Sequence, residues 1–241
     1  MPEIPFTKAH GTGNDFIFFT KEECPEIISS PEFIQSVCKR RTGIGADGII
    51  ILSKSDNTDF KLDYYNSDGS WETFCANGSR CAVKLLNRKN IIPRKSTFES
   101  GDGMHQAKID GDGMVWIKMK APDYKSDLLK ICGFSGRHVD SGAKHFVCST
   151  DNLNHVNIEK FGPKIRYDES FAPDGVNVNF YSVESPNELN VITYEKGIEK
   201  VMLSCGSGVV AAGYHAAKTV NLESPLTIKT PGGLLNLKFN E

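Results

Sequence analysis

No stretch of this 241-residue chain approaches the roughly 20 consecutive apolar residues of a membrane-spanning helix. A surplus of positive charge is missing too: 28 Lys and Arg stand against 30 Asp and Glu, a formal net charge of −2. Nucleic acid and anionic membranes therefore lose their electrostatic case as partners. The opening segment, MPEIPFTKAHGTGNDF, lacks a basic region followed by an apolar run, so no secretory signal is expected and a cytoplasmic setting is. Cys-x-x-Cys pairs are absent. The seven cysteines (24, 38, 75, 81, 132, 148 and 205) are odd in number and irregularly spaced, which argues against a zinc site and a disulfide framework. No metal is expected. Low-complexity segments and long linkers are absent as well.

What remains is an ordinary globular composition, 39% hydrophobic and 24% charged, of a length that suits two modest domains. The informative stretch is Phe60 to Leu86, FKLDYYNSDGSWETFCANGSRCAVKLL. Phe60, Leu62 and Tyr64 alternate with polar neighbours, the period of a half-buried strand. Asn66-Ser67-Asp68-Gly69 is turn chemistry. Ala82, Val83 and Leu86 then recur at helical spacing, which puts Cys75 at or just before a helix N-terminus. The pattern returns at Asn190 to Ala217, where Cys205 occupies the place of Cys75, an offset of 205 − 75 = 130. The same offset pairs Gly78 with Gly208, Ala82 with Ala212, Thr97 with Thr227, Gly103 with Gly233 and Lys108 with Lys238. Upstream it pairs Asp15-Phe16-Ile17 with His145-Phe146-Val147, and Gly45-Ala46-Asp47 with Gly175-Val176-Asn177. This register predicts a duplicated unit, with domains 1–119 and 120–241 and a boundary in the polar, Pro122-containing segment Lys118 to Lys130.

Within the first half, HGTGNDF reads as a glycine-rich turn leading into a strand, Phe16 to Thr20. Ser30 and Pro31 open a helix running to Arg41. RTGIGADG precedes the doubly buried strand Ile49 to Leu52. Thr97 to Ile109 and Val115 to Met119 read as two strands joined by the turn Asp110 to Gly113. In the second half, Val139 to Cys148 reads as a turn and strand, and Gly175 to Phe180 as a strand. Thr227 to Phe239 reads as a hairpin around Pro231-Gly-Gly233. Ile158 to Ile165 has no clear type.

A helix N-terminus carries unpaired N–H groups and partial positive charge. A thiolate there is stabilised, and the N–H groups can hold a carboxylate. By itself a cysteine at a strand–helix junction is more often structural. Two at equivalent points of a duplicated unit point instead to proton removal on one face of a carbon and delivery on the other, the requirement for inverting a stereocentre. Preorganised donors on the carboxylate would stabilise the carbanion.

These residues resemble the diaminopimelate epimerase family. The segments are HGTGNDF at His10, RRTGIGADG at Arg40, YNSDGSWETFCANGSRC at Tyr65, YEKGIE at Tyr194, LSCGSG at Leu203 and PGG at Pro231. The resemblance implies an α/β fold of the α+β type. Its two pseudo-symmetric domains are each a curved mixed sheet around a central helix, with the site in the cleft between. It implies an isomerase without pyridoxal phosphate or other cofactor, acting on diaminopimelate in lysine and peptidoglycan precursor synthesis. Cys75 and Cys205 would be the acid–base pair. Substrate contacts would fall to Asn14, Asn66, Ala76, Asn77, Gly78, Asn177, Glu195, Lys196, Gly206 and Ser207, with His145 supporting. A homodimer is the one assembly left open. Lys196 stands where the family usually has Arg, Ala143-Lys144 where it often has Asn-Pro or Ser-Pro, and the sequence stops at Glu241 without the family's final strand.

Three alternatives stay beside this reading. One is a related racemase for another amino acid. Another is an NAD-binding oxidoreductase, since Gly206-Ser-Gly208-Val-Val-Ala211 fits G-x-G-x-x-A with Glu223 downstream. The third is a thiol redox switch built on the two cysteines.

Overall fold

The structure is a computed structural model and describes residues 3–220 and 222–239. The chain divides into two compact units, Met1–Lys118 and Met119–Glu241. In the first, β1 (Thr7–Gly11) and β2 (Asn14–Thr20) form a hairpin, followed by α1 (Pro31–Cys38), β3 (Gly48–Ser53) and β4 (Phe60–Asn66). Then come β5 (Trp71–Glu72), α2 (Ala76–Arg88), β6 (Lys95–Ser100), β7 (Gly103–Ile109) and β8 (Val115–Ile117). Among the described residues the sheet order is β1-β2-β3-β4-β6-β7-β8, with β5 paired to β4. The β2–β3 and β4–β6 pairs are parallel, the rest antiparallel.

The second unit holds β9 (Asp123–Tyr124), β10 (Leu129–Ile131), β11 (Phe134–Asp140), β12 (Lys144–Ser149), α3 (Ile158–Arg166) and β13 (Asn177–Ser185). It continues with β14 (Glu188–Glu195), β15 (Lys200–Met202), α4 (Gly206–Val220), β16 (Leu226–Thr230) and β17 (Gly233–Leu237). Its order, β10-β11-β12-β13-β14-β16-β17 with β9 on β11 and β15 on β14, repeats the first from β11 onward.

Each sheet is packed on both faces. In the first, Phe16, Phe18, Ile50, Leu52, Phe60, Leu62 and Tyr64 close on Ala82, Val83 and Leu86 of α2. Ile17, Phe19, Ile49 and Ile51, alternating with them, close on Ile34 and Cys38 of α1. Strand side chains alternate sides, so β2 and β3 sandwiched between two helices read as unbroken apolar runs. In the second unit Val147, Tyr181, Leu189 and Val191 meet α4, while Phe146, Cys148, Val178 and Phe180 meet α3.

Several elements differ from the sequence expectation. The α1 helix stops at Cys38, not Arg41, because Lys39 turns extended and the following loop folds back: Gly45 N–H takes the Val37 carbonyl and Ala46 N–H that of Cys38. Thr97 to Ile109 is two strands broken at Gly101-Asp102, with Gly103 at φ +125°. The segment Lys118 to Lys130 contains the short strands β9 and the start of β10. Ile158 to Ile165 is helical despite Pro163. Asn157 caps it, Ile158 and Ile165 are buried, and Gly162 lets it lie directly on the Tyr194 ring.

The offset of 130 also fails as a constant. It holds for the central helices and for the β6–β7 pair, where Ser96–Ala107 becomes Leu226–Leu237. In β2, β3 and β4 it is 129: the pairs Phe16–Gly48 and Ile50–Tyr64 correspond to His145–Asn177 and Asn179–Thr193. The cause is loop length. Four residues separate paired His10 and Asp15, and three separate paired Asp140 and Lys144. The deficit is restored later, where five residues separate Tyr65 from Trp71 and six separate Tyr194 from Val201. The counterpart of Asp15-Phe16 is thus Lys144-His145, and Asn66 corresponds to Glu195.

Candidate active site

In the first unit Cys75 is the N-cap of α2. Its backbone is extended (φ −137°, ψ 108°), and its carbonyl accepts from Ser79 N–H at 2.9 Å, the first helical hydrogen bond. The side chain is half-buried, with Sγ 4.0 Å from Asn14 Oδ1. That oxygen also accepts from Asn77 Nδ2 at 3.2 Å. Asn14 is held in this orientation from behind, because its Nδ2 donates to Asp47 Oδ2 at 2.8 Å. Arg40 clamps Asp47 (2.6 Å) and both oxygens of Asp15 (2.7 and 3.1 Å), and Lys8 adds a contact to Asp15 at 2.9 Å. Burial by itself would raise the Asp15 carboxyl, but Arg40 and Lys8 bring it down to about 2. Arg80, one turn into α2, donates to Asn77 Oδ1 at 2.8 Å and Thr12 Oγ1 at 3.1 Å. Gly78 is buried, and its missing side chain leaves room for Ile50 and Phe16. Asn66, at the end of β4, accepts from Tyr64 Oη at 2.6 Å and donates to Ser70 and Glu72.

In the second unit Cys205 immediately precedes α4, and its carbonyl accepts from Val209 N–H at 2.9 Å. Its Sγ lies 3.5 Å from Ser207 Oγ. His145 is fully buried, with Nε2 3.0 Å from Ser207 Oγ and Nδ1 2.8 Å from Asn179 Nδ2. Burial pushes this imidazole down to about 3, so the ring is neutral at ordinary pH. Asn177 accepts from Lys196 N–H at 2.9 Å and donates to the Lys144 carbonyl at 3.1 Å, which ties β12 to the turn after β14. That turn is braced by Glu199, which accepts from Arg166 Nε (2.5 Å), Tyr194 Oη (3.2 Å) and Gly197 N–H (3.0 Å). Glu195 closes β14 beside it, and Lys196 is exposed.

Each unit therefore gathers its expected residues at one helix N-terminus: Asn14, Cys75, Ala76 and Asn77 in the first, and His145, Cys205, Gly206 and Ser207 in the second. Asn66 and Glu195 lie at the matching ends of β4 and β14. Sequence reasoning missed Arg40, Asp47 and Arg80, and the buried pair Asn179 and Thr193. Arg80 could have been found from its spacing of three after Asn77, one helical turn on the same face. The dinucleotide fingerprint does not fit. Its second glycine should lie open to a pyrophosphate, but Gly208 is packed against Asn179 and Thr193. Among the described residues no cluster of three His, Cys, Asp or Glu could hold a metal, and no helix is long and apolar enough to cross a membrane.

The sequence pattern of the family described as diaminopimelate epimerase matches residues 6–124 and 137–241. The chain belongs to the diaminopimelate epimerase family. The diaminopimelate epimerase of Flavobacterium psychrophilum is 38% identical over 237 residues, covering 97% of this chain and 90% of that one. The enzyme of the same name from Aquifex aeolicus is 35% identical over 256 residues, covering 99% and 91%. Both cysteine–helix junctions fall within the span matched to the family. Solved structures with the same fold include a PhzF-family phenazine biosynthesis protein from Bacillus anthracis, with a TM-score of 0.72, 12% identity and coverage of 95% and 86%. Another is a hydroxyproline epimerase from Agrobacterium vitis with bound trans-4-OH-L-proline, with a TM-score of 0.69, 14% identity and coverage of 95% and 81%. At such identities the likeness is one of fold: mixed α+β, with two curled sheets.

Proposed function

We propose that this family member is an isomerase that interconverts LL- and meso-diaminopimelate by a two-thiol proton transfer, without pyridoxal phosphate or metal. The observation that carries the reading is the repeated placement of a cysteine at the N-terminal end of a buried central helix, once in each unit. One cysteine, as thiolate, takes the α-hydrogen: the C–H bond breaks and an S–H bond forms. The other, as thiol, gives its proton to the opposite face of the same carbon. Turnover leaves the two sulfurs with exchanged protonation states. First-turn N–H groups of α2 and α4, from Ala76 to Gly78 and at Gly206 and Ser207, stabilise the charge that builds on the substrate carboxylate. Asn14, Asn66, Asn77, Asn177, Glu195 and Lys196 complete the substrate contacts. The product serves lysine and peptidoglycan precursor synthesis in the cytoplasm.

The test is exchange of the substrate α-proton. Purified reduced protein in deuterated water should erase the α-proton signal of diaminopimelate and produce both stereoisomers. A reduced, folded protein that leaves the signal intact refutes the proposal.

A further inference from the structure

The second unit buries a line of polar side chains where the first is largely apolar. The strand pairings put His145 in the place of Phe16, Asn179 in that of Ile50 and Thr193 in that of Tyr64. The helices sit on them alike: Gly78 lies against Ile50 and Phe16, Gly208 against Asn179 and Thr193. The fold is thus satisfied by hydrocarbon at two of these three positions, and a buried polar line there does not serve packing. Buried polar groups cost desolvation unless every member is paired, so such a line persists where it does something else.

Its polarity runs one way. Thr193 Oγ1 donates to Asn179 Oδ1 at 2.7 Å, and Asn179 Nδ2 donates to His145 Nδ1 at 2.8 Å. With Nδ1 accepting, the neutral ring carries its proton on Nε2. Nε2–H donates to Ser207 Oγ at 3.0 Å, and the serine directs its own hydrogen to Cys205 Sγ at 3.5 Å. Two further contacts fix the ends. Asn179 Oδ1 abuts the first turn of α4 at Gly208, where the positive end of the helix favours the carbonyl end of the amide. Ser141 Oγ donates to the Ser207 carbonyl at 2.8 Å, which holds the serine backbone. Asp140 and His138 on β11 are the titratable groups that act on the ring. His145 is not a base here, since Asn179 occupies its one lone pair.

We infer that Asn179 and Thr193 are positioning residues for proton transfer at Cys205: they lock His145 as the Nε2–H tautomer and so make Ser207 a hydrogen-bond donor to the Cys205 thiolate. The inference rests on Cys205 being one of the two transferring thiols, as proposed above.

The direct test is the tautomer. Long-range proton–nitrogen spectra of protein carrying 15N-histidine should show His145 with Nε2 protonated and Nδ1 bare at pH 7. A ring protonated at Nδ1 would overturn the inference. Thr193→Val removes the donor that orients the Asn179 amide at nearly constant volume. It should lower kcat about tenfold, a buried hydrogen bond's worth, with KM changed by less than about twofold. Alkylation of Cys205 by iodoacetamide, read by peptide mass spectrometry, should slow by a similar factor, and Thr193→Ser should restore both. A folded Thr193→Val protein with unchanged kcat and alkylation would also overturn it. A Cys205→Ala protein with normal turnover would sink the functional reading itself. An Nδ1-protonated ring in a protein that needs Cys205 would sink this inference alone.

Discussion

Beneath α2 the first unit sets Phe16, Ile50 and Tyr64, and beneath α4 the second sets His145, Asn179 and Thr193. The strands that carry them pair in the same order and, apart from the two loops of unequal length, in the same register. One architecture thus holds two different environments around two equivalent thiols. The first unit places its polar network at the loop side of the site instead, running from Arg40 through Asp47 to Asn14, and from Arg80 to Asn77. A permanent cation lies behind the Cys75 side, and a neutral imidazole behind Cys205. The two units carry their cysteines at corresponding strand–helix junctions, but the side chains beneath each helix make the surroundings of the two sulfurs unlike.

The largest effect tests whether the halves remain equal partners. Cys75→Ala and Cys205→Ala should each cut epimerisation by about a thousandfold or more, the scale of losing a general acid or base. A single variant that keeps near-normal turnover breaks the partnership. Next comes Arg80→Met, which removes the donor to Asn77 and Thr12 from the first half alone. Charge-assisted hydrogen bonds of this kind make a loss of about 10- to 100-fold in kcat/KM the expected result of steady-state assay. Smaller still is the contrast between the two helix glycines. A Cβ at position 208 would sit 2.4 Å from Asn179 Oδ1 and 2.9 Å from Thr193 Oγ1, whereas at 78 it would meet the Ile50 Cδ1 methyl at 2.4 Å. The methyl can rotate away, but the bonded amide cannot. Gly208→Ala should therefore lower the urea midpoint by the equivalent of about 1–3 kcal/mol, and Gly78→Ala by less.

The last contrast appears only below neutral pH. His145 and His215 of the second unit are buried and held below the usual imidazole range, at about 3 and about 4. The unfolded chain binds these protons more readily, so the stability they contribute is present above about pH 6.5 and lost as pH falls below it. In the first unit neither His10 nor His105 is buried, and Asp15, lowered to about 2, loses its contribution only as pH falls from about 4 toward 2. With the intrinsic pH dependence of exchange divided out, the protection of α4 amides should fall between about pH 6.5 and 5 while that of α2 amides stays level. Equal responses in both helices would erase the distinction.

Much of this could be read along the chain. Alternation at Phe60, Leu62 and Tyr64 announced β4, and Ser30-Pro31 announced α1. The turn chemistry before each cysteine placed Cys75 and Cys205 at helix starts, because local sequence governs where a helix can begin. Other features were hidden. Gly162-Pro163 punctuates a segment whose helicity comes from packing on Tyr194 and the buried Ile158 and Ile165. Arg40, Asp47 and Arg80 are ordinary charged residues until the hairpin, the loop before β3 and the first turn of α2 converge on Asn14 and Asn77.

That two cysteines stand at corresponding strand–helix junctions of two similar halves follows from local signals alone, because capping, turns and periodicity are short-range. Which side chains lie beneath them depends on how the strands pair in space. At an offset of 130, Phe16 pairs with Phe146 and the match looks apolar to apolar. One residue fewer in the β11–β12 turn makes the true counterpart His145, and Phe146 faces α3 instead. Side chains on a strand alternate sides, so a slip of a single residue exchanges the face turned to one helix for the face turned to the other.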